Sequence, residues 1–132
     1  MSGTDIRLPA AAGELFDKIT ILEIKSERIA DPAKLANVRT ELAALQTARC
    51  ASVAESPALA ALVAALKAVN ESLWDIEDRI RDCERAGDFG AAFIALARSV
   101  YRTNDERAGL KRRINELLGS ELFEEKSYAA YQ

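Results

Sequence analysis

Hydrophobic residues recur along most of this chain at alternating steps of three and four positions, which is the spacing of one face of an α-helix. The longest uninterrupted series contains Leu59, Leu62, Leu66, Val69, Leu73, Ile76, Ile80 and Cys83. A shorter series with the same step contains Leu35, Val38, Leu42 and Leu45. No segment shows the period of two that is typical of a half-buried strand. The pattern therefore predicts an all-α protein.

Capping residues divide this helical pattern. Asp31-Pro32 and Ser56-Pro57 each place a favourable N-cap residue before a proline that suits the first helical position. Gly87 and Gly119 are typical of residues that end a helix. The predicted helices span about 13–30, 32–49, 57–86 and 89–118.

The connections between these helices are short, so consecutive helices are predicted to be antiparallel neighbours. The sequence predicts a single helical domain over residues 1–132. Its fold class is an antiparallel helical bundle of four main helices, two long and two shorter. An N-terminal arm (1–12) precedes the bundle, and a short helix or tail (120–132) follows it.

The first predicted helix is hydrophobic on two faces. One apolar stripe contains Leu15, Ile19, Leu22 and Ile29. Ile21 and Ile24 point more than a right angle away from that stripe. Two alternatives stay open: the helix is central in its own bundle, or a second copy of the chain covers one face. The second alternative predicts a homodimer, with Ile21, Ile24 and the tail residue Tyr128 as candidate interface residues.

Polar residues interrupt the hydrophobic series of the fourth predicted helix, because Asn104, Arg107 and Lys111 occupy its middle. Antiparallel pairing brings this polar belt near Asn70 and Trp74 on the third helix. A charge removed from water must be paired or hydrogen-bonded, so these side chains are expected to form a network.

The belt has two interpretations. It is a structural layer that fixes the register of the helices, or it is a pocket for an anion or sugar phosphate. In the second case Arg107 and Lys111 are the cationic ligands, and Trp74 or Tyr101 is a stacking wall. The candidate ligand-binding residues are Asn70, Trp74, Tyr101, Arg102, Asn104, Asp105, Arg107 and Lys111.

Composition narrows the function classes. The net charge of −3 makes a nucleic-acid partner unfavourable, and the absence of histidine removes the usual general base and most zinc sites. Asp75, Asp78 and Asp82 share one helix face and are weak candidates for binding Mg²⁺. A protein without a cofactor is favoured over this alternative. The apolar runs are too short to span a bilayer, and the N-terminus does not have the pattern of a secretory leader. The two cysteines are typical of free thiols in a reducing compartment. These features predict a cytoplasmic protein without membrane contact.

Several segments together resemble a known family. They are Gly13–Lys25, Asp31–Leu35, Leu73–Asp78, Gly87–Phe89, Tyr101–Asp105, Lys111–Asn115 and Glu125–Tyr128. Over nearly its whole length the chain resembles a small all-helical bacterial family of unassigned function. Its members tend to be encoded near glycosyltransferases and tetratricopeptide-repeat proteins of surface-polysaccharide assembly. The resemblance implies a partner or ligand from that chemistry and supplies no catalytic residue.

The leading hypothesis is a non-enzymatic interaction or scaffold module, a homodimer that is accessory to such glycosyltransferases or repeat proteins. The alternative is a binding protein or enzyme for a phosphorylated sugar or nucleotide, with Mg²⁺ as an optional cofactor. Nucleic-acid binding is a distant third. Whether the chain is an enzyme stays open, with the non-enzymatic function favoured.

Overall fold

The computed structural model describes residues 3–131, and these contain four α-helices. The helices are α1 (Ala12–Arg28), α2 (Pro32–Ser52), α3 (Pro57–Ala86) and α4 (Ala91–Leu118). No strand occurs in this part of the chain. The all-α prediction is therefore confirmed, and each predicted helix end lies within about three residues of the observed one. Met1, Ser2 and Gln132, which belong to the predicted arm and tail, lie outside the described residues.

The helix ends follow the predicted capping chemistry. The Asp31 side chain accepts a hydrogen bond from the Lys34 backbone N–H, and Ser56 accepts one from the Leu59 N–H. Gly87 ends α3 in the left-handed region with φ 67°. The start of α4 differs from the prediction because Asp88 accepts a hydrogen bond from the Gly90 N–H, so the helix begins two residues later, at Ala91.

Helix α1 is central in the fold, because it packs against each of the other three helices. The hydrophobic core joins α1 to α3 and α4 through four fully buried residues: Phe16, Leu59, Leu66 and Ile114. Ile24 on the second face of α1 is 1% exposed, so helices of the same chain cover it. The first alternative for α1 therefore accounts for Ile24 without a second copy.

The remaining elements lie at the periphery. Helix α2 packs on α1 and, within residues 3–131, on neither α3 nor α4. The C-terminal end of α1 reaches α3 through Arg28, which pairs with Asp75 at 2.6 Å. Helices α3 and α4 pack against each other, and Phe89 in the connection between them packs edge-on against Phe93. No helix in the described chain is long and apolar enough to cross a bilayer.

Residues 121–131, here named the C-terminal segment, contain no helix. Glu124 lies 3.1 Å from the Nζ atom of Lys111, and the ring centroids of Tyr131 and Tyr101 are 4.8 Å apart. The segment therefore returns along α4 from its C-terminal end toward its middle.

Candidate functional site

A buried carboxylate holds three helices together at the predicted polar belt. Asp17 on α1 is 3% exposed. Its Oδ1 atom accepts hydrogen bonds from Arg107 Nε at 2.8 Å and from Asn70 Nδ2 at 3.0 Å. A second bond joins Arg107 Nη2 to Asp17 Oδ2. The pairing is thus bidentate, which is the strongest geometry for a guanidinium and a carboxylate.

Thr20 completes the hydrogen bonding around this carboxylate. Its hydroxyl accepts a hydrogen bond from Asn70 Nδ2 at 3.1 Å and donates one to the Asp17 backbone carbonyl at 3.0 Å. No buried side-chain nitrogen or oxygen atom lacks a partner in residues 3–131. The polar layer is therefore satisfied within the chain, as a buried network must be to avoid a desolvation cost.

The second cation of the belt is neutralised in the same way. Lys111 has a side chain that is 12% exposed, and its Nζ atom lies 2.6 Å from Glu14 Oε1 and 3.1 Å from Glu124 Oε2. Burial alone would lower the pKa of Lys111, but the hydrogen bonds to these carboxylates outweigh it and raise the pKa. Lys111 is therefore a fixed cation that is already paired.

The pKa of Asp17 is shifted in the opposite direction. Burial would raise it, but the hydrogen bonds from Arg107 and Asn70 and the nearby positive charges lower it below its usual range. Arg107 has a raised pKa because it donates to Asp17. Both partners are consequently charged at neutral pH.

The N-terminus of α1 is capped by α4 instead of by its own chain neighbours. Asn115 Oδ1 accepts a hydrogen bond from the Gly13 backbone N–H at 2.6 Å, and Ala11 supplies no side-chain cap. A Cβ atom at Gly13 would lie 2.5 Å from the Lys111 carbonyl oxygen. Only glycine allows the two backbones to approach this closely.

Two adjoining grooves meet at Arg107 and Ile21, and together they are here named the cleft. The first groove, of about 470 Å³, lies between α1, α3 and α4, and its lining includes Asn70, Trp74 and Asn104. The second, of about 370 Å³, lies toward α2, and its lining includes Lys18, Lys25 and Glu41. The guanidinium of Arg28 is 5.9 Å from the centroid of the Trp74 ring.

The structure brings only part of the predicted ligand set together. Asn70, Trp74, Asn104 and Arg107 line the first groove of the cleft. The other four residues, Tyr101, Arg102, Asp105 and Lys111, line neither groove.

Three of these four departures have a visible physical reason, and the position of Arg102 has none. Tyr101 and Asp105 lie on a different side of α4, where they line a cavity with the C-terminal segment. Lys111 points toward Glu14 and Glu124 instead of toward Trp74. Sequence reasoning missed Asp17 and Thr20, because the position of α1 over the belt was not predicted. The available signal was their position: Asp17 and Thr20 lie at steps of three and four from Ile21 and Ile24, on the second apolar face of the helix.

The predicted interface residues have different environments. Ile21 is half-buried in the cleft, and Tyr128 is 81% exposed. Ile24 is inside the fold and is not accessible to a second copy, which corrects its assignment as an interface candidate.

Arginine side chains pair with two of the three aspartates on the acidic face of α3. Asp75 accepts a hydrogen bond from Arg28, and Asp82 pairs with Arg85. Asp78 lines the cleft. Within residues 3–131 no group of three or more His, Cys, Asp or Glu side chains is placed to hold a metal ion. The magnesium alternative at Asp75, Asp78 and Asp82 is corrected accordingly, because the first and last of these carboxylates are neutralised by guanidinium groups.

The comparisons with known proteins give a family. No curated protein and no solved structure matches this chain. A family model, described as a family of unknown function (DUF6165), matches residues 6–131. This match extends from the N-terminal arm through the C-terminal segment and includes every residue of the polar belt. The chain therefore belongs to the DUF6165 family, whose function is unknown.

Proposed function

We propose that this protein is a non-enzymatic helical interaction module that acts as a homodimer. Its four helices are proposed to form an antiparallel bundle followed by a C-terminal tail. The observation that carries the proposal is the amount of surface left uncovered. The chain exposes 9055 Å², whereas a compact folded monomer of 14.4 kDa exposes about 6,800 Å².

Residues 3–10 and the C-terminal segment, which contain no helix and are exposed along their whole length, contribute to this excess. A stable protein–protein interface buries about 800 Å² on each partner, which is well within the excess. The exposed large hydrophobic side chains include Phe89, Ile94, Leu117, Leu122 and Phe123. Association through such surfaces is favourable because it removes apolar area from water.

The polar belt supports the same proposal. Arg107 and Lys111 are both bonded to carboxylates of their own chain. A phosphate bound to the Nε and Nη2 edge of Arg107, or to the ammonium of Lys111, would have to displace Asp17 or Glu14 and would leave a carboxylate without its partner. The belt therefore favours a structural role, in which it holds α1 in a fixed position against α3 and α4.

The proposed partners and the proposed location rest on separate observations. A glycosyltransferase or repeat protein of bacterial surface-polysaccharide assembly is proposed on the family resemblance alone. A cytoplasmic location fits the two free cysteines, Cys50 and Cys83.

Sedimentation velocity over a wide range of protein concentrations tests the homodimer. We expect a species of twice the chain mass of 14.4 kDa that dissociates on dilution. A mass of one chain at every concentration would remove the proposal.

A second candidate function is binding of a phosphorylated sugar or nucleotide in the cleft. In residues 3–131 the Nη1 atom of Arg107 has one hydrogen-bond partner, Asn104 Oδ1 at 3.5 Å, so this edge of the guanidinium is available to a ligand. The first groove has about 470 Å³, a volume within the usual range for small-molecule sites.

Trp74 is the only tryptophan of the chain, so its fluorescence reports on this groove directly. The protein is titrated with UDP-glucose, UDP and inorganic phosphate, each with and without Mg²⁺. The interaction-module proposal expects no saturable change. A saturable change that Asn104→Ala abolishes, and that the exposed control Asn37→Ala retains, would establish the second function instead.

A further inference from the structure

The C-terminal segment is bound to α4 by side chains of complementary chemistry. Glu124 pairs with Lys111, and Glu125 Oε1 lies 3.3 Å from Arg112 Nη1. The Arg112 guanidinium is 5.2 Å from the centroid of the Phe123 ring. Farther along, Tyr131 packs on Tyr101. The surface of α4 thus recognises an extended peptide with two acids between aromatic side chains.

The covalent connection to this peptide is a short turn. Gly119 has φ 66°, and the Ser120 N–H donates to the Asn115 carbonyl as the last helix-capping bond. Within residues 121–131 no backbone hydrogen bond joins the segment to the helices. Apart from the hydrogen bond that the Ser120 hydroxyl donates to the Leu122 carbonyl at 3.0 Å, the segment is held by side-chain contacts. A different path through the turn would break that one bond and preserve the side-chain contacts with α4.

The segment does not close tightly over its own helix. A cavity of about 720 Å³ lies where Tyr101 and Asp105 of α4 meet the stretch from Lys126 to Tyr131. Tyr128 in the middle of this stretch is largely exposed. The segment therefore packs loosely on α4, and a loosely packed segment detaches at a low free-energy cost.

Exposed hydrophobic side chains surround the turn itself. Ser120 is bonded to the Ala12 N–H, which brings the start of α1 to the same end of the molecule. Within four residues of that contact, four large side chains are exposed: Leu8, Leu117, Leu122 and Phe123. A second copy placed at this end would cover them.

We propose that two copies of the chain exchange their C-terminal segments, so that Glu124, Glu125 and Tyr131 of each copy bind Lys111, Arg112 and Tyr101 of the other. This inference rests on the proposed homodimer and locates its interface. Exchange keeps the side-chain contacts of the segment with α4 and adds a new interface at the turn, which offsets the entropy cost of association. The two-fold axis then passes near the C-terminal ends of the two α4 helices.

Charge reversal in the full-length chain tests the exchange. Arg112→Glu places a glutamate opposite Glu125, and Glu125→Lys places a lysine opposite Arg112. Each variant alone carries the mismatch in the monomer and in the exchanged homodimer alike, so we expect its homodimer dissociation constant to stay close to that of wild type. In an equal mixture both contacts of an exchanged heterodimer are matched again. The unchanged Glu125 of one chain meets the unchanged Arg112 of the other, and the introduced lysine meets the introduced glutamate.

Native mass spectrometry of the mixture, with one variant labelled with nitrogen-15, measures the three dimers separately. We expect the heterodimer to exceed the binomial proportion that labelled and unlabelled wild type give. The matched control is a mixture of Arg85→Glu and Asp82→Lys, which reverses an exposed ion pair of α3 far from the segment. This control mixture is expected to stay binomial.

The outcomes separate the two proposals. A binomial mixture of the Arg112 and Glu125 variants, from a protein that still dimerises, would refute exchange and leave the homodimer intact. A wild-type chain that is monomeric at every concentration would remove both. The double variant Arg112→Glu/Glu125→Lys is expected to dimerise as wild type, and failure to do so would also count against the proposed contact.

Discussion

Asp17 is an ionised side chain in the interior of a small protein. Its charge is compensated by a bidentate bond to Arg107 and by an amide bond from Asn70. Removing one partner of a buried pair costs far more than the pair contributes, because the other charge is left without compensation. Asp17 is thus the residue on which the packing of α1 against both α3 and α4 depends.

Replacing Asp17 by Asn is expected to lower the free energy of unfolding by about 3 kcal/mol, the lower end for a buried pair because Arg107 is partly exposed. Urea denaturation followed by circular dichroism measures the change. The control is Asp75→Asn, which removes an exposed ion pair with Arg28 and should cost less than about 1 kcal/mol. Equal losses in the two variants would contradict this account of Asp17.

The same pair predicts a pH dependence. The folded-state pKa of Asp17 lies below its value in the unfolded chain, so its contribution is complete above the ordinary aspartate pKa of about 3.9. The contribution is lost as the pH falls through the folded-state pKa. The difference in free energy of unfolding between wild type and Asp17→Asn should therefore be constant from pH 7 to about 5 and shrink below about 4. If this difference in free energy of unfolding grew on acidification, the assignment of a lowered pKa to Asp17 would be wrong.

Four helix ends in this chain are determined by local chemistry, whereas the start of α1 and the packing of the helices are not. Asp31, Ser56, Gly87 and Gly119 act within a few residues, and the sequence predicted their effect correctly. The contact of α1 with α4 depends on Gly13, whose backbone N–H donates to the side chain of Asn115, 102 positions away in the sequence. Periodicity carries no information about such a contact, so the cap by Asn115 was not predicted.

Replacement by alanine is expected to have opposite effects on stability at Gly13 and at Gly109. Alanine normally favours a helix over glycine by about 1 kcal/mol. Gly109 has open space around its Cβ position, so Gly109→Ala should raise the melting temperature. Gly13→Ala should lower stability by about 1–3 kcal/mol, because the Cβ atom would meet the Lys111 backbone. Differential scanning calorimetry compares the two, and stabilisation by both would show that α1 can shift away from α4.

The candidate site was predicted in part for a similar reason. Asn104 and Arg107 were recognised because they break an apolar series, and Asn70 and Trp74 because antiparallel pairing aligns them. Lys111 was placed in the wrong groove, since its direction depends on carboxylates of α1 and of the C-terminal segment. Polar interruptions in a helix therefore predict where a network lies better than they predict its partners.

At the scale of the whole molecule, stability is unevenly distributed. Helix α1 contacts all three other helices, while α2 is attached through α1 and buries only Val38. Helices with few buried contacts open locally at low free-energy cost. The C-terminal end of α2 adds one contact to the core, because the guanidinium of Arg49 lies 4.9 Å from the centroid of the Phe16 ring.

Hydrogen exchange measured by mass spectrometry should therefore show earlier exchange in α2 than in α1. Peptides from the middle of α2, around Val38, are expected to lose protection first, and peptides that contain Phe16 and Ile19 last. Replacing Val38 by Ala should accelerate exchange in α2 while leaving the middle of α3 unchanged. Protection of α2 equal to that of α1 would mean that the two helices open as one unit.

The hydrogen bond between Gly13 and Asn115 has a consequence for synthesis of the protein on the ribosome. The first helix leaves the exit tunnel well before the residues that cap and cover it have been translated. At about 5–20 residues per second, Phe16 and Ile19 wait on the order of 5–20 s for α4. During that interval the nascent chain has only α2 and then α3 to shield these two side chains, so slow translation through the last third of the message would lengthen their exposure to aggregation.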